Sequence, residues 1–98
     1  MFNQVNIGIQ VIPFSGKKNL YEIVDKAIAV IKESGITFRV CPFETVMEGD
    51  YDTLMDLIKK AQEACFLNGA YEVITNIRIQ ARKDGNVTIE EKMYKYDK

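Results

Sequence analysis

Residues 36–49 read Ile36-Thr37-Phe38-Arg39-Val40-Cys41-Pro42-Phe43-Glu44-Thr45-Val46-Met47-Glu48-Gly49, and how they divide decides the fold. Their β-branched and aromatic content suits extended chain, and the stretch is long enough for one strand or two short ones. Pro42 settles the choice. Inside a strand it would remove a ladder hydrogen bond, whereas its fixed φ is useful in a turn. The reading is two short strands, about 37–41 and 44–48, forming a hairpin around Pro42-Phe43.

Working outward, residues 4–12 place Val5, Ile7, Ile9 and Val11 on one side and Asn6, Gly8 and Gln10 on the other, the alternation of a half-buried strand. Pro13 and the turn-like Phe14-Ser15-Gly16 predict that this strand stops there. Asn19 followed by Glu22 predicts a helix starting at Leu20, with apolar Ile23, Val24, Ala27, Ile28 and Ile31 on one stripe and a stop at Ser34-Gly35. Downstream of the hairpin, Leu54, Leu57, Ile58, Ala61 and Cys65 form a second stripe, capped by Asp50 or Asp52 and closed by Asn68-Gly69. Residues 71–82 alternate again, with Val73, Thr75, Ile77 and Ile79 opposite Glu72, Asn76, Arg78, Gln80 and Arg82. The tail from Thr88 fits a short helix behind a Thr88-to-Glu91 capping box, with a strand as the alternative. The order is βαββαβ plus a tail. That is the α+β, ferredoxin-like arrangement, a four-stranded antiparallel sheet with two helices on one face, built as one domain over residues 1–98.

Composition narrows the chemistry. The chain has 98 residues, 13 basic and 14 acidic side chains, and no histidine. The near-neutral charge supplies no general attraction to nucleic acid or anionic lipid, so neither is expected as a partner. Without imidazole, histidine-activated nucleophiles and the common zinc sites are excluded, and no metal site is expected. Cys41 and Cys65 lack CxxC spacing and read as reduced, buried thiols of a cytoplasmic protein. No apolar run approaches the ~20 residues that span a bilayer. Residues 14–18 lack the glycine and hydroxyl pattern of a phosphate loop, and pairs such as Asp50-Asp52 and Glu90-Glu91 have no flanking base. No catalytic residue is expected, and the reading is of a non-enzyme without a cofactor.

Two patterns remain as candidate binding features. Glu44, Glu48, Asp50, Asp52 and Asp56 form an acidic field without a Lys or Arg between Val40 and Ile58, beside the aromatic residues Phe43 and Tyr51. Such a field can hold an organic cation, or it can simply cap a helix and be solvated. Asn6, Gln10, Asn76 and Arg78 are placed by the strand pattern on the helix-free face. There they can meet solvent, line a polar pocket or pack on a partner sheet.

The strand ending Val11-Ile12-Pro13, the helix ending Lys32-Glu33-Ser34-Gly35 and above all Pro42-Phe43-Glu44-Thr45-Val46-Met47-Glu48-Gly49 resemble the small thiamine-binding proteins. The strand from Ile77 to Arg82 and the tail from Thr88 to Lys92 fit the same pattern, so the resemblance spans essentially the whole chain. It implies sheet-to-sheet homodimers able to pair into tetramers, and a pocket for thiamine or its pyrimidine moiety without catalysis. Thr45, Glu48 and Gly49 match the family motif, while Phe43 stands where an aliphatic side chain is more usual. The candidate ligand set is therefore Thr45, Glu48, Gly49 and Phe43, joined by Gln10, Asn76 and Arg78 from the open face. An interaction module that binds no small molecule is the competing function.

Overall fold

The computed structural model describes residues 3–97, so residues 1, 2 and 98 of the expected single domain lie outside it. The elements are β1 (Val5–Phe14), α1 (Leu20–Glu33), β2 (Thr37–Val40), β3 (Thr45–Gly49), α2 (Tyr51–Leu67), β4 (Glu72–Gln80) and α3 (Ile89–Met93). The four strands form one antiparallel sheet in the order β2-β3-β1-β4. This is the ferredoxin-like arrangement that the sequence predicts.

Each element starts and stops for local reasons. Asn19 Oδ1 accepts from the Tyr21 N–H at 2.8 Å, satisfying a donor at the α1 start. Gly35, with φ of 81°, lets the chain leave that helix through the left-handed region. Asp50 caps α2, its carboxylate accepting from the Thr53 backbone and hydroxyl at 3.2 Å each. Residues 41–44, with Pro42-Phe43 at the tip, connect β2 to β3, closed by a bond from the Cys41 N–H to the Glu44 carbonyl at 2.9 Å.

The core lies between the sheet and the two long helices. Val5, Ile7 and Ile9 of β1 and Met47 of β3 pack against Ile23, Ala27 and Ile31 of α1 and Leu54, Leu57, Ile58, Ala61 and Cys65 of α2. The four-residue spacing on α1 and the two-residue spacing on β1 put these side chains on facing surfaces. Burying each large apolar side chain contributes about 1.5–3 kcal/mol, so this layer is the principal stabilising feature.

Three expectations are corrected. β1 does not stop at Pro13 but continues to Phe14, with Pro13 opposite Val73 of β4. A proline is tolerated because β3 pairs only as far as Ile9, leaving β1 one partner strand at that level. Cys41 is only half-buried, in contrast to Cys65, and both are free thiols. The helix-free face is not bare along its whole length, because the C-terminal segment folds onto one end of it. The tail is a short helix with the Thr88–Glu91 capping box in place. Val87 is fully buried there, its N–H donating to the Gln4 carbonyl at 3.0 Å and its carbonyl accepting from Asn6 Nδ2 at 3.1 Å.

Candidate functional site

Strand register sorts the candidate residues onto two faces. Thr45 lies opposite Ile9, on the core side with the helices, whereas Glu48 lies opposite Asn6, on the other side. The motif residues Thr45 and Glu48 therefore point into different environments. A single-residue step along a strand always does this, and three positions separate them.

On the helix side, α1, β1 and the β2–β3 connection enclose a cavity of about 230 Å³. Its walls are mostly apolar, including Ile9, Val11, Ala27, Ile28, Ile31 and Ala61. Thr45 reaches it from β3 and is 4% exposed. Among the described residues its hydroxyl makes no hydrogen bond and is not sealed from the surface, which leaves a donor and an acceptor available to a guest. Tyr21 and Phe43, 81% and 82% exposed, flank the opening. Among the described residues the charged ones in the lining are Asp25 and Glu44, and the Glu44 carboxylate is turned to the opposite face of the sheet, where it meets Arg78. Gln10 borders the cavity, although its side-chain oxygen is bonded on the opposite face.

On the helix-free face, Gln10, Asn76 and Arg78 come together as the alternation predicts. Asn76 Nδ2 donates to Gln10 Oε1 at 3.2 Å, and Arg78 Nη2 meets Glu44 Oε2 at 2.6 Å. These residues, with Gly8 and Phe43, line a depression of about 340 Å³. Towards β1's far end the face becomes apolar through Ile12, Phe14 and Ile74. Towards the other end it disappears under α3.

Glu48 occupies that covered end. Its Oε1 accepts from the Ile89 N–H at 2.6 Å, so the carboxylate caps the first turn of α3. Around it the tail is pinned by Arg39 with Asp97 at 2.5 Å and Arg82 with Glu91 at 3.1 Å. The hydrogen bond from Arg39 holds the Asp97 carboxyl below its usual range, and Arg82 with the Thr88 N–H does the same for Glu91. Gly49 has no positive φ; a side chain there would sit against Leu54 Cδ2 at 3.4 Å, so its smallness serves the packing of α2.

Asp25 and Tyr21 are the site residues that the sequence reading left out, and Glu44 entered it only as part of the acidic field. Asp25 and Tyr21 lie on the α1 flank that faces the hairpin connection, a juxtaposition that appears only once the helix is docked. Glu44 belongs to the acidic field already noted, and its adjacency to Thr45 was the available signal.

The profile of the family described as thiamine-binding protein matches residues 7–97, nearly the whole chain. The chain belongs to the thiamine-binding protein family. It is 44% identical over 91 residues to a UPF0045 protein of Clostridium perfringens, covering 93% of this chain and 95% of that one. A Bacillus cereus domain of unknown function superposes with a TM-score of 0.93 at 45% identity, covering 97% of this chain and 91% of the other. A Thermotoga maritima protein assigned provisionally to thiamine biosynthesis or salvage superposes with a TM-score of 0.84 at 32% identity, covering 96% and 99%. Within this thiamine-binding family fold, the Pro42–Gly49 element forms one wall of the helix-side cavity and then runs beneath α2. Among the described residues no helix is long and apolar enough to cross a membrane, and no cluster of three or more His, Cys, Asp or Glu side chains could hold a metal.

Proposed function

We propose that the protein reversibly binds thiamine or its pyrimidine moiety in the cavity between α1 and the hairpin connection, without turnover. The observation that carries this reading is the hydroxyl of the nearly buried Thr45, unpartnered among the described residues, at the wall of an apolar cavity that Asp25 also lines. An aminopyrimidine brings donors and acceptors that such a hydroxyl can meet, and its ring suits the apolar walls. At about 230 Å³ the space is below the ~300 Å³ typical of pockets that enclose a drug-sized ligand. One ring enters, and the second sits at the opening. There Tyr21 and Phe43 offer ring faces and Asp25 a carboxylate, a setting that favours a thiazolium cation. Glu48 and Gly49 support the site's framework rather than the ligand.

The same reading includes a homo-oligomer joined through the free half of the sheet, where Ile12, Phe14 and Ile74 are incompletely covered. Calorimetric titration with thiamine and with the free pyrimidine tests the ligand. Saturable binding of either that weakens in Thr45→Val supports the proposal. Absence of binding would leave an interaction module, the competing function.

A further inference from the structure

β4 is an edge of the sheet. It pairs with β1 on one side, and among the described residues no strand pairs with its other side. A row of free backbone N–H and C=O groups is a template for another strand, and proteins blunt it with short strands, prolines, lysines or bulges. The opposite edge, β2, is blunted: it has four residues, and Arg39 is tied to Asp97 of the tail. β4 runs for nine residues, Glu72–Gln80, with no proline, lysine or glycine and an unbroken register to β1. Five of the nine are β-branched, which suits an extended, pairing strand.

The two halves of this edge are unequally covered. Val73 packs on the core, and Thr75 Oγ1 accepts from Gln62 Nε2 of α2 at 2.8 Å, so α2 shelters the first half. Ile77 and Ile79 lie on the same helix side, opposite Ile9 and Ile7, yet they are 38% and 39% exposed where those β1 neighbours are 4% and 0%. Charge is divided along the strand as well. Glu72 opens it and, among the described residues, joins no ion pair, whereas Arg78 near its end stays largely exposed while bonding Glu44 with one arm.

We infer that β4 pairs antiparallel with β4 of a second copy of this chain, about a twofold axis at Thr75, joining two four-stranded sheets into one. In that register Glu72 faces the copy's Arg78 and Val73 faces the copy's Ile77, each pair occurring twice by symmetry. The twofold sets the half of the strand that α2 leaves bare beside the half that the copy's α2 shelters, so Ile77 gains an apolar neighbour on the helix side. Moving the axis by one residue to Asn76 would set Arg78 against Ile74. Parallel pairing in register would set Glu72 beside Glu72 and Arg78 beside Arg78. The contact uses the edge of the sheet, so it is distinct from an oligomer through the helix-free face and independent of any ligand.

Amide exchange of the native chain, followed residue by residue across a wide range of protein concentration, tests the pairing. In a lone edge strand every second amide points outward and exchanges freely. Between Glu72 and Arg78 those amides should gain protection as sedimentation shows the chain associating. Glu72→Arg, which places like charges opposite each other twice, should raise the dissociation constant roughly tenfold with the fold intact. The register is read by oxidative crosslinking in a Cys41→Ser background. Glu72→Cys mixed with Arg78→Cys should form a disulfide dimer, while either variant alone should not, because like positions then stand six residues apart, about 20 Å. Association that leaves the outward amides of β4 exchanging freely would overturn the proposal by placing the contact on the sheet's face. A chain that stays monomeric would overturn it too, leaving the edge to a strand of another protein. Crosslinking of either variant with itself, at the rate of the mixture, would overturn the axis at Thr75.

Discussion

The Glu44 carboxylate occupies the space that a side chain at Gly8 would fill: a Cβ built on Gly8 collides with Glu44 Oε1. Gly8 is therefore not a flexible point in β1 but a floor. It allows the acidic side chain at the end of the hairpin connection to lie flat on the sheet and reach Arg78 on β4. This places Glu44 between the helix-side cavity and the open face, and it ties the connection carrying Phe43 to the sheet.

Substituting Gly8→Ala should lift Glu44 off the sheet and break its pair with Arg78. The Arg78 side chain is largely exposed, so the lost ion pair costs at most about 1 kcal/mol. Replacing glycine in a strand interior returns a similar amount, roughly 0.5–1 kcal/mol. Thermal unfolding should then move little, while amide exchange at Phe43 and Glu44 accelerates. Unchanged exchange in that connection would show that Glu44 is not its anchor.

Glu48→Ala should detach α3 without touching the helix-side cavity. The half-buried carboxylate makes a charged hydrogen bond to Ile89, of a kind worth about 1.5–3 kcal/mol. Stability in urea should fall by an amount in that range, and thiamine binding by the folded protein should stay at the parental level. Loss of thiamine affinity under conditions where the variant is folded would return Glu48 to the ligand site.

Acid should loosen the C-terminal tail before it loosens the sheet. Asp97 and Glu91 both titrate below their ordinary values because Arg39 and Arg82 favour their charged forms. A depressed folded-state value means the contribution is complete above the unfolded-state values, 3.8 for Asp and 4.5 for Glu, and is lost as pH falls through the lower folded values. Amide exchange at Tyr94 and Tyr96 should rise across that interval while exchange at Ile7 does not. Both pairs are exposed, so high salt at neutral pH should produce a weaker version of the same change.

How much of this was legible follows the physics of each feature. Alternation at two and at three-to-four residues located β1, α1, α2 and β4 because burial imposes those periods, and Pro42 divided β2 from β3. The stop expected at Pro13 failed because proline's cost depends on which neighbouring strand is present, a long-range property. Glu48 was singled out for its place before a helix; its actual partner, the Ile89 N–H, lies 41 positions away in the chain. That Gln10, Asn76 and Arg78 share the helix-free face was readable, since alternation fixes the face of each strand residue, whereas the pairing of Gln10 with Asn76 and of Gly8 with Arg78 comes from the β1–β4 register. The helix-side cavity was not, because it depends on how α1 docks against the hairpin connection.

Cys41 and Cys65 should separate cleanly on alkylation. Only the thiolate reacts, so at Cys65 burial and a raised pKa both oppose labelling. Burial pushes the Cys65 thiol up from its ordinary value, and the side chain is fully enclosed between α2 and the sheet. Cys41 is half-exposed, in the connection that lines the helix-side cavity. Iodoacetamide at mildly alkaline pH should therefore label Cys41 in the native protein and reach Cys65 only after denaturant opens the core, as read by peptide mass. Thiamine at saturating concentration should slow labelling of Cys41, because Cys41 lines the cavity in which the ligand is proposed to sit. Labelling at an unchanged rate, with binding verified by calorimetry in the same buffer, would place the ligand away from the hairpin connection and overturn the site assigned here.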